Sequence, residues 1–472
     1  MVFNSLTFLV FFAVVIGLWY AIESWPARKG MLLVASYAFY AAWNPPFILI
    51  LWLSTVVDWY VARWLYAATR PSRRKLILLI SLVVNLGLLS YFKYGGFLVE
   101  NFASLMRVLG VDYHPAAPNI ILPIGTSFYT FETVSYTIDV YLGRCKPFRS
   151  FLDYGLFLTF FPHLVAGPIL RPHEIVPQFE VPHRATAKGF GFGLFLMTLG
   201  LFEKMVLADS FLATSADMVF SAHQPVGALD AWVGILAFSG QIFCDFAGYT
   251  TCAIGAALCF GFSLPDNFKF PYAAVGFSDF WRRWHISLSR WLRDYLYVPL
   301  GGNRKGEVRT HVNLMLTMLI GGLWHGASWN FVIWGGIHGF YLLVERMLRR
   351  FGPRIAWLDT PGGQFVLAMF TFFLVCITWI FFRSKELGGS LALLGAAFGF
   401  GGGPPLVPTQ EIVVVLGTMV GVLATHWALR HRGLEDWLAH ANENLVTLIW
   451  MAMLATTLLA QGTGDAFIYF QF

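Results

Sequence analysis

Apolar runs of about twenty residues recur along this chain, and that is the length an α-helix needs to cross about 30 Å of hydrocarbon. "LTFLVFFAVVIGLWYA" (6–21) and "FVLAMFTFFLVCITWIFF" (365–382) are two of the clearest. Only 12% of residues are charged, about half the roughly 25% usual in a soluble domain, and the mean hydropathy is +0.63. Such a chain cannot cover its own surface in water. An all-α polytopic membrane protein follows.

Spans are expected near 5–22, 31–43, 47–66, 76–94, 119–141, 190–207, 230–262 (one long or two short), 311–327, 329–347, 364–382, 410–428 and 444–460. Elements near 153–168 and 388–400 read as re-entrant or interfacial. The opening "MVFNSLTFLVFFAVVIGLWYAI" lacks the basic region and small-residue cleavage site of a signal peptide, so it reads as a retained first span. Arg28 and Lys29, the cluster Arg70, Arg73, Arg74 and Lys75, and the group Arg144, Lys146 and Arg149 fall after alternate crossings. The positive-inside rule makes their shared face cytoplasmic. "RMLRRFGPR" (346–354) and "RHR" (430–432) join it, and a loop at 98–118 falls on the other side. Five cysteines without paired spacing point to neither disulfides nor zinc, and no metal site is expected. The glycine-rich "GFGGGPP" (399–405) is a loop without the lysine of a phosphate cradle. One integral domain over 1–472 is expected.

Residues 276–300, "GFSDFWRRWHISLSRWLRDYLYVPL", break the pattern of spans. Helical spacing gathers Phe277, Phe280, Trp281, Trp284, Leu288, Trp291, Leu292 and Tyr295 on one side. Arg282, Arg283, Ser289, Arg290, Arg293 and Asp294 project from the rest. The reading is an amphipathic interfacial helix, capped by Ser278 and ended by Pro299. His285 projects from the aromatic side, so it faces inward.

Of twelve histidines, only His285, His325 and His338 combine helical context with apolar surroundings. His163, in the apolar hairpin "FFPHLVAGPILRP", suits a structural role. A buried histidine can be an ordinary core residue bonded to a carbonyl, but ionisable groups at membrane depth also line reaction sites and proton paths. His338 follows His325 by thirteen residues, about 220° around a continuous helix, and reads as structural. His325 lies among Gly321, Gly322 and Gly326, which permit close backbone approach. A neutral imidazole there can take a proton from a hydroxyl and return it to a leaving group.

The stretches "LPIGTSFYTFETVSYTIDVYLG" (122–143), "FFPHLVAGPILRP" (160–172), "QIFCDFAGYTTCAIGAALCFGF" (241–262), "FWRRWHISLSRWLRDYLYVPLGGNR" (280–304), "MLIGGLWHGASWNFVIWGGIHG" (318–339) and the terminal "FIYFQF" resemble the membrane-bound O-acyltransferase family. Within it they are similar to the bacterial polysaccharide-acetylating branch typified by the alginate O-acetyltransferase membrane subunit. The resemblance implies a ring of about 11 transmembrane helices with short re-entrant and interfacial helices. It places the family's invariant histidine on His325 and its second active-site histidine on His285. It further implies a tunnel in which Trp284, Arg282, Arg283, Trp324, Asp245 and Tyr249 are the candidate donor-binding and lining residues.

The activity so implied is transfer of an acetyl group from a cytoplasmic donor, acetyl-CoA, across the bacterial inner membrane for O-acetylation of an alginate- or cellulose-type exopolysaccharide. No tightly bound cofactor is implied. An extracytoplasmic acceptor protein of the same system would be the partner, with membrane lipid and no nucleic acid. His325 would be the general base and His285 would position or polarise the thioester, directly or by way of a transient acyl-histidine. The arginines of "FWRRWH" would help to receive an anionic donor, or simply snorkel to headgroups. A D-alanyl transferase of teichoic-acid type shares the same blocks. A non-catalytic acyl or glycan transporter would also use buried histidines, although no paired repeat of the transporter kind is present.

Overall fold

The computed structural model describes residues 1–116, 120–353 and 355–460; Arg354 and the terminal "FIYFQF" lie outside the described residues. Every regular element among the described residues is helical. In order they are α1 (Leu6–Ala21), α2 (Trp25–Ala41), α3 (Ile48–Ala67), α4 (Pro71–Leu89), α5 (Gly95–Val108), α6 (Thr126–Tyr141), α7 (Phe151–Thr159), α8 (Phe161–Leu164), α9 (Pro172–Glu180) and α10 (Ala187–Leu201). There follow α11 (Thr214–Phe220), α12 (Ala228–Phe260), α13 (Phe277–Arg283), α14 (Ile286–Leu292), α15 (Glu307–His325), α16 (Trp329–Phe351), α17 (Pro361–Arg383), α18 (Leu387–Ala397), α19 (Thr409–Leu429), α20 (Leu434–His440) and α21 (Glu443–Leu459). Among the described residues seven helical stretches are long and apolar enough to cross a membrane, and three shorter apolar helices accompany them. The chain is a polytopic, all-helical membrane protein.

Some expected boundaries move. The stretch at 230–262 is one helix of 33 residues. The loop expected at 98–118 is helical as far as Val108, because Pro71–Val108 runs on through a π-helical turn at Ser90–Tyr94. The crossings expected at 31–43, 119–141 and 311–327 are the helices α2, α6 and α15, which are shorter or more polar than the seven long spans. Protein neighbours can satisfy polar groups that lipid cannot. In α6 almost every residue is buried, and Thr133 and Thr137 return their hydroxyls to carbonyls one turn back.

The chain packs as two compact units. One comprises Met1–Leu194 with Ala253–Pro265, and the other comprises Phe195–Cys252 with the chain from Asp266 onward. In the first, Arg28 and Lys29 are not loop charges as expected: they lie in the opening turns of α2 and are buried. Lys29 Nζ meets Asp153 Oδ1 at 2.5 Å and donates to the Phe179 carbonyl, while Arg28 donates to Ile22 O. The pairing joins α2 to α7, and partners so far apart in sequence are invisible to a charge count. His163 packs with its Nδ1 3.4 Å from Glu132 Oε1, which also accepts the Leu170 N–H. That is the structural use expected of it.

In the second unit, α15 and α16 form a hairpin whose contact is set by glycine. A Cβ on Gly322 would strike the Phe331 carbonyl, and one on Gly335 would strike the Met318 carbonyl. The π-helical stretch Phe202–Ala213 carries buried Lys204, whose ammonium meets Asp209 Oδ1 at 2.8 Å and Asp245 Oδ1 of α12 at 2.5 Å. A lysine at this depth persists because both carboxylates offset its lost hydration.

Gly335→Leu should therefore separate the hairpin, at a cost of about 1–3 kcal/mol in overpacking. A lowered unfolding temperature of the detergent-solubilised protein would show it. Lys204→Met leaves two carboxylates without their cation, and removing one partner from a buried pair costs about 3–5 kcal/mol. The expected result is a larger drop in unfolding temperature than for the Gly335 variant, read in the same assay.

Candidate active site

The expected amphipathic helix at 276–300 is not continuous. It consists of α13, a break at Trp284–His285, α14, and a π-helical turn at Arg293–Tyr297. Its cap is Gly276 at φ 86°, not Ser278, whose N–H instead donates to Glu345 Oε2. The sidedness holds despite the break: Phe277, Phe280, Trp284, Leu288, Trp291, Leu292 and Tyr295 are all buried, while Arg282, Arg290 and Arg293 are exposed.

The break lies at His285, whose backbone is left-handed (φ 42°, ψ 57°). For a residue with a Cβ this conformation costs about 1–2 kcal/mol, so something must hold it. The loop at 267–269 does. Lys269 N–H donates to Arg283 O at 2.9 Å, and Ile286 N–H donates to Asn267 O at 2.9 Å. The Asn267 side chain adds a second grip. Its Oδ1 accepts from the Ser287 N–H at 3.2 Å and the Ser287 hydroxyl at 2.9 Å, and stands 3.2 Å from His285 Nδ1.

His285 is fully buried. Phe246 of α12 meets its ring edge-on at 4.7 Å, with Phe268 at 6.5 Å and Trp324 at 5.9 Å. Burial pushes the imidazole down to about 3, so the ring is neutral at ordinary pH.

His325 closes α15. Gly326 follows in extended conformation, and a Cβ there would strike the Phe331 ring. Ser328 then caps α16 by accepting from the Asn330 N–H at 3.2 Å. Gly321 lies against Leu292. The glycines round His325 thus serve close approach, as their spacing predicts. The imidazole is boxed by Trp324 at 5.0 Å, Trp334 at 5.1 Å and Phe382 at 5.3 Å.

The two imidazoles, forty residues apart in sequence, come together with ring centres 6.2 Å apart. That lies beyond direct hydrogen bonding and is spacing at which one reacting group can touch both. His338 is nearer than helical arithmetic predicts, because the α15–α16 turn interrupts the helix that the arithmetic assumed. Its ring is 4.8 Å from Trp334, which separates it from His325, and its Nε2 bonds Thr378 Oγ1 at 3.0 Å. The hydroxyl partner supports the structural role expected of it.

Trp324 touches both histidines. Trp284 packs behind them, 5.0 Å from Trp379 and 5.7 Å from Phe280. Arg283 does not project freely: it pairs with Asp279 at 2.9 Å and donates to the Lys269 and Arg430 carbonyls. Arg282 is exposed and donates to Ser278 O. Asp245 is committed to Lys204, while its neighbour Phe246 reaches His285. Tyr249 is buried further along α12. Among the described residues no cluster of three His, Cys, Asp or Glu side chains could hold a metal.

Sequence reasoning missed Asn267. It sits in "LPDNFKFP", and nothing in local periodicity marks it as a partner for a side chain eighteen residues on.

Comparison with known proteins identifies the family. The model of the MBOAT, membrane-bound O-acyltransferase family, matches residues 148–384, which include both histidines. The chain is 42% identical to the probable alginate O-acetylase of Pseudomonas putida over 407 residues, 85% of this chain and 81% of that protein. It is 43% identical to the probable alginate O-acetylase of Pseudomonas aeruginosa over 406 residues, 85% and 75% of the two chains. To the peptidoglycan O-acetyltransferase of Helicobacter pylori it is 38% identical over 408 residues, 79% and 74%. An aromatic-lined histidine pair, set in a polytopic helical chain and matched across both of its sequence blocks, leads to one assignment: the chain belongs to the membrane-bound O-acyltransferase family, on the branch that includes the alginate O-acetylases.

Proposed function

We propose that this protein takes an acetyl group from a cytoplasmic thioester, acetyl-CoA, and passes it across the bacterial inner membrane for O-acetylation of an exopolysaccharide of alginate type. The whole chain works as one integral acyltransferase domain, and the immediate acceptor is a hydroxyl on an extracytoplasmic protein of the same polysaccharide system. The relatives' names support acetyl transfer to glycan: alginate in one case, peptidoglycan in the other. The observation that carries the reading is the meeting of His285 and His325 at 6.2 Å inside an aromatic enclosure.

The chemistry asks for little more than these rings. A hydroxyl oxygen bonds to the acetyl carbon, the carbon–sulfur bond breaks, and one proton moves from the hydroxyl to the departing thiolate. Imidazole is suited to that errand, and base catalysis typically contributes about 10²–10⁴-fold. The enclosing rings of Trp324, Trp334 and Phe382 keep water from competing for the thioester.

His325→Ala and His285→Ala should each abolish transfer from labelled acetyl-CoA by purified protein, and polysaccharide acetylation in cells, while insertion and unfolding temperature stay near normal. Full transfer by both variants would dismiss the histidine pair as the reaction site. Binding of acetyl-CoA with neither transfer nor hydrolysis would instead favour a conduit without chemistry.

The exposure of Arg282 supports a part for it in receiving the anionic donor. Arg282→Glu should raise the donor KM about two- to fivefold, the worth of one solvent-exposed charge contact, with kcat little changed. Arg283→Glu sets two carboxylates against each other and should lower the unfolding temperature instead. An unchanged KM for the Arg282 variant would leave that side chain only a headgroup contact.

A further inference from the structure

The tautomer of His285 can be read from its surroundings. The backbone N–H of Ser287 can only donate, so the Asn267 atom it meets must be the amide oxygen and not the amide nitrogen. That same oxygen stands 3.2 Å from His285 Nδ1. An oxygen of this kind only accepts, so Nδ1 must carry the hydrogen. A neutral imidazole has one N–H, and the lone pair therefore lies on Nε2.

The consequence bears on the division of labour between the two histidines. Polarising a thioester carbonyl calls for an N–H aimed at its oxygen. His285 has spent its only N–H on Asn267. What Nε2 offers is a proton-accepting site, the reverse of the role expected from the sequence.

We infer that Asn267 is the positioning residue of this site, and that His285 enters the transfer as a proton acceptor through Nε2. The inference rests on the His285–His325 pair being where acetyl transfer occurs. As the acceptor hydroxyl attacks the acetyl carbon, its proton passes to Nε2 of His285 while the oxygen–carbon bond forms. The carbon–sulfur bond then breaks, and the thiolate leaves as the thiol with a proton supplied by the pair. His325 is left to face the thioester. The imidazolium formed on His285 keeps its Nδ1–H on Asn267 Oδ1, a hydrogen bond that strengthens as the ring becomes charged. Asn267 acts twice: it holds the left-handed backbone at His285 through its own carbonyl, and it sets the ring's tautomer through its side chain.

Among the described residues the rings nearest His285 are Phe246, Phe268 and Trp324, with the titratable imidazole of His325 at 6.2 Å. A carboxylate placed at 267 would set a full negative charge against Nδ1 of His285. Asn267→Asp keeps the acceptor oxygen for Ser287 and Nδ1 and adds a negative charge, which favours the imidazolium and raises its pKa. Asn267→Leu removes the acceptor altogether.

The experiment is acetyl transfer from labelled acetyl-CoA by the full-length protein in detergent or vesicles, followed across pH 3 to 9 for wild type, Asn267→Leu and Asn267→Asp. His285→Ala and His325→Ala serve as controls. The leucine variant should lose about 10²-fold or more in kcat with a donor KM close to wild type. The aspartate variant should recover much of that loss, and the acid limb of its kcat/KM profile should lie at higher pH than in wild type, because protonating His285 removes the acceptor.

If the histidine controls are inactive while both Asn267 variants keep the wild-type kcat and pH profile, the inference falls and the reaction site stands. An aspartate variant as active as wild type but with an unmoved acid limb also overturns it, since Asn267 would then be holding the backbone alone. Active histidine controls would mean that the site itself was wrongly placed. A leucine variant that fails to fold leaves the aspartate profile to decide.

Discussion

One amide oxygen organises this site. Oδ1 of Asn267 gathers the Ser287 N–H, the Ser287 hydroxyl and His285 Nδ1, and the Asn267 carbonyl takes the Ile286 N–H. These contacts offset the left-handed backbone at His285, a strain of about 1–2 kcal/mol. Without them the stretch could relax into the unbroken helix that its sequence favours, and His285 would turn with it. Strained backbone of this kind persists only where surrounding contacts over-determine it. Here the contacts come from a loop that approaches in the opposite sense and pairs with the break on both sides.

The second histidine reaches the same place by a different device. His325 ends a helix, and its position depends on how closely α15 and α16 approach. Gly322 and Gly335 let backbone face backbone, and Gly326 lets the turn pass the Phe331 ring. Five aromatic side chains among the described residues, Phe246, Phe268, Trp324, Trp334 and Phe382, then close round the pair without supplying any charge. The site is therefore held by main-chain geometry more than by ion pairs, and its ionic contacts lie elsewhere in the unit.

Much of this was legible in the chain itself. The apolar runs announce a membrane protein, the 3.6-residue period places the aromatic face of 277–295 correctly, and His285 departs from the arginine side as its position predicts. The glycines about His325 signal close approach. What stayed hidden shares one physical cause: it depends on partners far away in sequence. No glycine or proline marks the break at Trp284–His285, because the force that holds it comes from Asn267. Lys29 reads as a loop charge because Asp153 and the Phe179 carbonyl, which take its ammonium, lie well over a hundred residues on. Helical arithmetic put His338 on another face from His325, yet a tight turn between two helices brings both against Trp334.

Lys204, with carboxylates from its own stretch and from α12, has a bearing on how the chain enters the bilayer. The lysine and Asp209 leave the ribosome before Asp245 is made. Lys204 already has Asp209 within its own stretch, so the charge that waits for a partner from another helix is Asp245. A lone aspartate at the centre of a span opposes insertion by about 2.5–3.5 kcal/mol, a penalty relieved when Lys204 is alongside. The route of least resistance for α12 is therefore into lipid against Ala187–Phe220, where a cation is already in place for Asp245. An ionic contact that looks static in the finished protein thereby favours one neighbour for α12 as the chain enters the bilayer.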